Sequence, residues 1–425
     1  MANAPSVYDD IRVLDLTTEM GHYCGKILAD LGADVIRVEP PEGCDTRRLG
    51  PYWHNSPDPE KSLTFFYFNT NKRSVTLDLE SDAGREAFKK LVATADVVLE
   101  SFPVGYLAGL GLGYDELAKT KPDVIMTSVT GFGQWGPHAN FKAPDIVGVA
   151  MSGVMTLAGF PDAPPYKPLD HHGYFNAGIQ AALGTVIAIH HHDNTGEGQH
   201  IDVSMQEALS LDQETAMQFW DMTKTVRART GERKLLPGVG TYEAADGYIF
   251  SMVGVPGFGA PWSVLATWMA EDPDTGDIPA DLLEFLASLN LRELTAAMTD
   301  PEKMAVMKEK LDRVDERLMA FYKKKPKQDL YEEGQARRLL IGPVNTPEDV
   351  VKSKQLQARG WFQEVQHDGE SLLYPGGPYR LPESPWAIRR RPPRLGEHNN
   401  EILGQELGLS DEEIRAAGAR ELERV

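Results

Sequence analysis

The sequence predicts an α/β fold in which helices cover both faces of a mostly parallel sheet, followed by a smaller α+β domain. Short apolar runs alternate with helical patterns from Ile11 to about residue 205, as in sheets whose strands are joined by crossover helices. From Asp272 to Lys327 the pattern is helical and strongly charged, and we take residues 230–330 as the smaller domain. A length of 425 residues also favours two domains over one. We therefore divide the chain into residues 1–229, 230–330 and 331–425.

The chain opens with one β-α-β unit of about thirty residues, which is a Rossmann-like beginning. Its parts are the strand Ile11–Leu16, the glycine-containing loop Thr17–Gly21, the helix Lys26–Leu31 and the strand Val35–Val38. The loop contains neither GxGxxG nor GxxxxGK[ST]. A dinucleotide or P-loop function is therefore poorly supported.

The alternation continues after a long loop rich in proline and glycine, which we place at residues 40–63. The next predicted elements are a strand in Asn71–Leu79, a helix in Asp82–Ala95, a strand in Asp96–Glu100, a helix in Tyr114–Lys119 and a strand in Val124–Val129. Open α/β sheets bind ligands outside the carboxyl ends of their strands. We therefore expect the loop Ser101–Gly105 to take part in binding.

The stretch Pro168–Ala208 combines a polar loop, a helix of small residues, a glycine turn and a short strand at Ile201–Val203. The small residues predict close approach of another backbone. Beyond it, Gln206–Thr230 is predicted to be one long helix leaving this domain, and Tyr242–Met252 a hairpin.

Composition excludes several classes of partner. The chain carries 43 basic and 63 acidic residues, a net charge of −20, which disfavours nucleic acid and anionic membranes. No run approaches the ~18 apolar residues that span a bilayer. Cys24 and Cys44 are too few for a disulfide framework and suit a reducing compartment, so we expect a cytoplasmic protein. No cysteine or histidine spacing suits a metal.

Candidate chemistry lies in the polar loop. Asp170 stands beside His171 and His172, an arrangement that serves either as an acid/base or nucleophile pair or as ordinary loop chemistry. Arg37 and the pair Lys72-Arg73 can reach a phosphorylated ligand or can pair with carboxylates.

With these stretches in view, the chain resembles the class III CoA-transferases, the family of formyl-CoA transferase, carnitine CoA-transferase and α-methylacyl-CoA racemase. The matching segments keep the family's order along nearly the whole chain. They are Val13–Thr17, Leu28–Pro40, Asn71–Ser74, Asp96–Glu100, Leu110–Gly113, Gly131–Pro137, Thr195–Gln199, Pro343–Thr346, Gln355–Gly360 and Leu395–His398.

The resemblance implies that the N- and C-terminal parts together form the Rossmann-like domain, and that two chains interlock like linked rings. It also implies that coenzyme A is a substrate and that no metal is used. The residues carried over as CoA contacts are Thr18, Glu19, Met20, Gly21, Leu77, Ser101, Phe102 and Lys142. The family's chemistry is a carboxylate relay, in which an Asp forms a mixed anhydride and then an aspartyl-CoA thioester.

The chain departs from the family pattern at the nucleophile. The family places its Asp four residues before Gly178, where this chain has Tyr174. A phenol with a pKa of about 10 is a poor nucleophile at neutral pH. Positions that commonly contact CoA also differ, at Pro40, Glu80, Ser101 and Gly109.

Three hypotheses follow. In the first, this chain is the subunit lacking the Asp in a heteromeric transferase, as in benzylsuccinate CoA-transferase, and a paralogous subunit supplies it. In the second, a self-sufficient transferase uses Asp170. In the third, the chain is a non-transferase acyl-CoA enzyme or binding protein, although Pro144 disagrees with the racemase pattern. For a transferase we expect an acyl-CoA donor such as succinyl-CoA and a carboxylic acid acceptor, aromatic or branched and dicarboxylic.

Overall fold

The structure is a computed structural model that describes residues 6–229, 231, 236–253, 259–271, 278–288, 297 and 300–419. The chain forms two compact units. The first contains Met1–Gly159, Ala163–Arg229 and Gln357–Val425, and the second contains Phe160–Asp162 and Thr230–Leu356. The second unit thus extends past residue 330, where we divided the chain, because the strand at 341–344 pairs within it.

The first unit is built on a six-stranded parallel sheet, so the predicted α/β fold is confirmed. Its strands are β1 (Arg12–Asp15), β2 (Asp34–Glu39), β3 (Arg73–Thr76), β4 (Val97–Glu100), β5 (Ile125–Thr130) and β6 (His200–Ser204). Their order is β3-β2-β1-β4-β5-β6. This is the order of the dinucleotide-binding Rossmann fold, although the glycine fingerprint is missing. A hairpin of β10 (Gln363–His367) and β11 (Glu370–Tyr374) belongs to the same unit.

The helices are numbered through both units. They are α1 (His22–Asp30), α2 (Leu63–Phe68), α3 (Asp82–Val92), α4 (Tyr106–Gly109), α5 (Tyr114–Thr120), α6 (Asp145–Met151), α7 (Val154–Leu157), α8 (His172–Thr195), α9 (Met205–Ser210), α10 (Ala216–Thr223), α11 (Trp262–Ala270), α12 (Ala280–Ser288), α13 (Pro301–Lys323), α14 (Lys327–Ala336), α15 (Pro347–Val351), α16 (Lys354–Ala358) and α17 (Asp411–Ala416). None of the described helices is both long and apolar enough to cross a membrane.

One face of the sheet is covered by α3, α5 and the C-terminal segment. Ile402, Leu403 and Ile414 join the core that contains Phe88 of α3 and Val98 of β4. Each Å² of apolar surface that these side chains bury stabilises the fold by about 25 cal/mol. The last part of the chain is therefore held to the first by hydrophobic packing.

The small-residue helix α8 covers the other face together with α1. A Cβ at Gly178 would lie 2.8 Å from the Tyr23 Cβ, so only glycine permits this contact. Ala177, Ala181 and Ala182 are buried at the same face. The predicted close approach is confirmed, while Ile187 of the same helix is exposed.

The second unit contains the predicted hairpin, β7 (Val239–Ala244) and β8 (Gly247–Met252), extended by β9 (Ile341–Val344). Tyr242, Trp268 and Phe321 lie in its core. The Tyr242 hydroxyl donates to Asp315 at 2.6 Å and accepts from the Gly238 N–H, so its polar end is satisfied within the core.

Two predicted elements were wrong in detail. The single helix at 206–230 is instead α9, a 3₁₀ turn and α10, because Glu214 and Lys224 take left-handed φ of 50° and 54°. The predicted loop at 40–63 contains two 3₁₀ turns and leads directly into α2. The Ser62 hydroxyl accepts from the Phe65 N–H and starts α2, and the rings of Phe65 and Phe66 are buried.

Candidate functional site

The site lies between β1 and β4, where the order of the strands in the sheet reverses. The loops after these neighbouring strands are joined by hydrogen bonds. The Thr18 N–H donates to Ser101 Oγ at 2.6 Å, and the two hydroxyls lie 2.8 Å apart. Open α/β sheets bind ligands at this topological switch point.

A cavity of about 540 Å³ opens beside these loops, and we call it the switch-point cleft. Leu16, Leu77 and Phe102 contribute apolar walls. The rim is acidic, with carboxylates at Glu42, Asp45, Asp78 and Glu80, and the lining also includes the buried carboxylate of Glu39. Arg37 is the basic residue of this lining, but it is buried and its guanidinium bonds Asp15. The cleft can hold an extended ligand, yet it offers little positive charge to a phosphate.

A buried charge cluster supports the loop after β1. The Asp15 carboxylate lies 2.7 Å from Lys72 Nζ and 2.9 Å from Arg37 Nη1, and all three side chains are buried. It also accepts from the N–H and hydroxyl of Thr17. Burial alone would raise the pKa of Asp15, but Lys72 and Arg37 outweigh it and hold that pKa below its usual value. Thr17, the first residue of the loop, is thus held in place by the ionised carboxylate of Asp15.

A second buried pair supports the loop after β2. Arg47 donates from Nε and Nη2 to both oxygens of Glu39, at 2.7 and 2.8 Å. Burial opposes the charge, but the guanidinium groups of Arg47 and Arg37 lower the pKa of Glu39 to about 2. This bidentate pair fixes the start of the acidic rim.

Glu100 ends β4 beside the Ser101–Phe102 loop. Its carboxylate accepts from the Phe102 N–H at 2.7 Å, and burial raises the pKa of Glu100 to about 6. Folding therefore favours protonated Glu100. This contribution to stability is complete below the unfolded-state pKa of about 4.3 and is lost as the pH rises past about 6.

We expect Glu100→Gln to remove this pH dependence. The free energy of unfolding of the wild type falls as buried Glu100 ionises, whereas the amide of the variant does not ionise. Between pH values of about 4.5 and 7, the variant should therefore gain about 2 kcal/mol relative to the wild type. Urea unfolding at a series of pH values measures the difference. Parallel curves for the two proteins would show that Glu100 titrates normally.

The N-terminus of α8 is anchored by Asp145. One oxygen of this carboxylate accepts from the N–H groups of Gly173 and Tyr174, at 2.7 and 3.3 Å. The other lies 2.9 Å from Lys167 Nζ. Lys167 also donates to the carbonyl of Asp170. The loop that precedes α8 is therefore held in one place.

A second cavity of about 400 Å³ lies beside this loop, and we call it the aromatic pocket. Its apolar wall is formed by the rings of Tyr23, Tyr67, Phe68, Tyr174 and Phe175, with Leu49, Pro51 and Leu63. The rings pack closely, since the centroids of Tyr23 and Phe175 lie 4.8 Å apart. Its polar residues include Glu19, Asp170 and His171.

A third cavity of about 330 Å³ shares lining residues with both of these cavities, and we call it the connecting channel. It shares Thr18, Cys44 and Asp45 with the switch-point cleft, and Glu19, Leu49 and Tyr174 with the aromatic pocket. A long ligand can therefore lie in the cleft while its end reaches the α8 loop.

The structure brings most of the predicted site residues to these cavities. Thr18, Leu77 and Phe102 line the cleft, and Glu19 and Met20 line the channel. Ser101 holds the Thr18 loop, and Gly21 precedes α1 as its N-cap. Asp170 lines the aromatic pocket, whereas Lys142 is exposed before α6 and is absent from the described linings.

Sequence reasoning missed two parts of the site. The first is the contact of Glu19 with His171, whose Oε1 and Nδ1 atoms lie 2.5 Å apart. No local pattern connects residues so distant in the chain. The second is the aromatic wall, which the run Phe65-Phe66-Tyr67-Phe68 could have suggested. In the described part of the chain, no cluster of three or more His, Cys, Asp or Glu could hold a metal ion.

Comparison with known proteins identifies the family of the chain. CoA-transferase family III matches residues 8–399. The subunit BbsE of succinyl-CoA:(R)-benzylsuccinate CoA-transferase from Thauera aromatica is 37% identical over 403 residues, covering 93% of each chain. Succinate–glutarate CoA-transferase from Agrobacterium fabrum is 32% identical, covering 95% of this chain and 97% of the relative. A CaiB/BaiF family structure from Brucella suis superposes with a TM-score of 0.77 at 28% identity, covering 95% of this chain and 100% of that chain. The chain therefore belongs to CoA-transferase family III.

Proposed function

We propose that this chain takes part in moving CoA from a donor such as succinyl-CoA to a carboxylic acid that carries an aromatic group. The observation that carries the proposal is the switch-point cleft, connected by the channel to the loop before α8. In this arrangement the CoA body lies in the cleft and its thioester reaches Glu19 and Tyr174. The succinyl donor is supported by the names of the relatives from Thauera aromatica and Agrobacterium fabrum.

The aromatic pocket supports an aryl acid as acceptor. Aromatic side chains favour an aryl ligand by offset or edge-to-face contacts, worth about 0.5–1.5 kcal/mol each beyond burial. His171, at the pocket wall, offers a cation to a carboxylate of the acceptor when it is protonated. A dicarboxylic acid with an aryl substituent would place its aryl group against the aromatic wall and one carboxylate beside His171.

Tyr174 occupies the family's nucleophile position, so the two transferase hypotheses from the sequence take the carboxylate of the relay from Asp170 or from a paralogous subunit. The acidic rim of the cleft favours the heteromer. CoA carries phosphates, and the described lining gives them no exposed cation. A partner chain would supply the positive charge that this lining lacks.

Two chains, whether identical or paralogous, are proposed to interlock. Support comes from an exposed apolar face on α8 formed by Ile179, Leu183 and Ile187. On α10, Trp220 and Met222 are also exposed. Apolar faces of this kind usually mark an interface. We place the assembly in the cytoplasm, where the free thiols of Cys24 and Cys44 remain reduced.

The test is a CoA-transfer assay with the purified chain alone and with its co-expressed genomic paralogue. Succinyl-CoA is the donor, and an aryl-substituted succinic acid is compared with unsubstituted glutaric acid. We expect transfer to both acids, with a higher kcat/KM for the aryl acid. The Asp170→Ala variant is assayed in parallel.

The outcomes separate the alternatives. Activity of the chain alone that disappears in Asp170→Ala assigns the nucleophile to Asp170. Activity that requires the paralogue and survives Asp170→Ala supports the heteromer. Absence of CoA transfer from both preparations would overturn the proposed function.

A further inference from the structure

We infer that the carboxylate of Glu19, rather than that of Asp170, forms the acyl and CoA adducts during transfer. This inference rests on the proposed function and names the nucleophile of the same site. It concerns a residue that sequence comparison assigns only to CoA binding.

The first argument is position. Glu19 lines both the aromatic pocket and the connecting channel, so it stands where the two substrates would meet. Asp170 lines the aromatic pocket and belongs to neither the channel nor the cleft among the described linings. The other channel carboxylate, Asp45, is fully exposed and faces Arg48 at 3.7 Å. A thioester arriving through the channel therefore reaches Glu19 before it reaches Asp170.

The second argument is the state of the carboxylate. His171 Nδ1 lies 2.5 Å from Glu19 Oε1, and that oxygen is buried. The contact holds the side chain in one orientation, and the imidazole opposes the rise in the pKa of Glu19 that burial causes. The contact with His171 engages Oε1, so Oε2 is the oxygen that attacks a carbonyl carbon in this proposal.

The surroundings also suit a nucleophile. Burial and then Asp145 raise the pKa of Glu19, while His171 opposes the shift. A more basic carboxylate is a better nucleophile once it is ionised. Asp170, in contrast, is exposed and takes a left-handed φ of 56° at the tip of its loop.

The steps balance without an added reactant. Glu19 Oε2 attacks the thioester carbonyl, the C–S bond breaks, and CoA leaves as a thiolate from the new mixed anhydride. The thiolate then attacks the Glu19 carbonyl carbon, which releases the donor acid as a carboxylate and leaves a glutamyl-CoA thioester. The acceptor carboxylate attacks the glutamyl carbonyl of this thioester, which forms a second mixed anhydride and releases the CoA thiolate. The thiolate then attacks the acceptor's carbonyl carbon, the C–O bond of the anhydride breaks, and the acceptor leaves as its CoA thioester. Glu19 returns as a free carboxylate.

The experiment traps the intermediate and locates it. The full chain, alone and with its paralogue, is incubated with succinyl-CoA and quenched with hydroxylamine, which converts an anhydride or thioester on a side chain into a hydroxamate. Peptide mass spectrometry then identifies the modified residue. We expect the hydroxamate on Glu19 in the wild type and in Asp170→Asn.

Three variants complete the design. Glu19→Gln should lose the hydroxamate and reduce transfer by on the order of a thousandfold or more. Glu19→Asp keeps a carboxylate one methylene shorter, so it should be modified at the same position with slower transfer. The control is Glu197→Gln, which removes an exposed carboxylate lying 3.6 Å from His191 and should behave as wild type.

The outcomes distinguish this inference from the proposed function. A hydroxamate on Asp170 or on the partner chain, with CoA transfer intact, would overturn the role of Glu19 and leave the proposed function standing. CoA transfer that persists in Glu19→Gln would also overturn the role of Glu19 and leave the proposed function standing. If neither transfer nor a hydroxamate is seen in any preparation, both statements fail.

Discussion

Replacing Asp15 with asparagine is expected to lower the free energy of unfolding by about 3–5 kcal/mol. The substitution leaves Lys72 and Arg37 buried without their carboxylate. An uncompensated buried charge costs far more than the loss of a surface ion pair, which is worth about 0–1 kcal/mol. The effect should therefore be among the largest of any single substitution in this unit.

The same substitution should also loosen the cleft. Asp15 accepts from both polar hydrogens of Thr17, the residue that begins the loop carrying Thr18 and Glu19. There is little room to adjust, since a Cβ at Gly25 would lie 2.5 Å from Asp15 Oδ2. CoA binding by the folded variant should be weaker than that of wild type.

Denaturant unfolding measures the loss of stability. Glu116→Gln serves as the control because it removes a half-exposed carboxylate from an ion pair with Lys119. Adding Lys72→Met to Asp15→Asn should recover part of the loss, because one of the two unpaired cations is then gone. A loss in Asp15→Asn no larger than that of the control would contradict the buried ion cluster.

Changing Glu80 to lysine is expected to tighten CoA binding roughly tenfold, which corresponds to about 1.4 kcal/mol. Glu80 lies on the rim of the switch-point cleft and accepts from the Tyr106 hydroxyl at 2.6 Å. The substitution exchanges a repulsive charge for one that attracts a phosphate. The rim is exposed, so the gain should shrink as salt is added.

Calorimetric titration with CoA at two salt concentrations measures this gain. The matched control is Glu86→Lys, which makes the same charge change on an exposed position of α3 outside the cleft lining. An equal gain in both variants would mean that overall charge, rather than the cleft, attracts CoA. No gain in Glu80→Lys would place the phosphates elsewhere.

The sequence was sufficient for the elements whose apolar patterns are unambiguous. The apolar runs ending at Leu16 and Glu100 predicted strands β1 and β4, and the loop after β4 was predicted to bind ligand. The helix at 206–230 failed because its break depends on backbone angles at Glu214 and Lys224, residues that are common in helices.

The site itself was predictable only in part. Family motifs pointed to the loop residues Thr18 and Ser101, but not to the hydrogen bonds that join them. The pairing of Glu19 with His171 and the raised pKa of Glu100 arise from burial and long-range contacts. Such properties depend on tertiary packing, which a linear pattern does not contain.

The most direct test of the CoA site is hydrogen–deuterium exchange of the purified chain with and without CoA, and with its paralogue where the complex forms. The account predicts slower amide exchange in three loops, at Thr17–Gly21, Leu77–Glu80 and Ser101–Phe102, because these segments line or support the switch-point cleft. Protection confined to other segments, or none at saturating CoA, would contradict it.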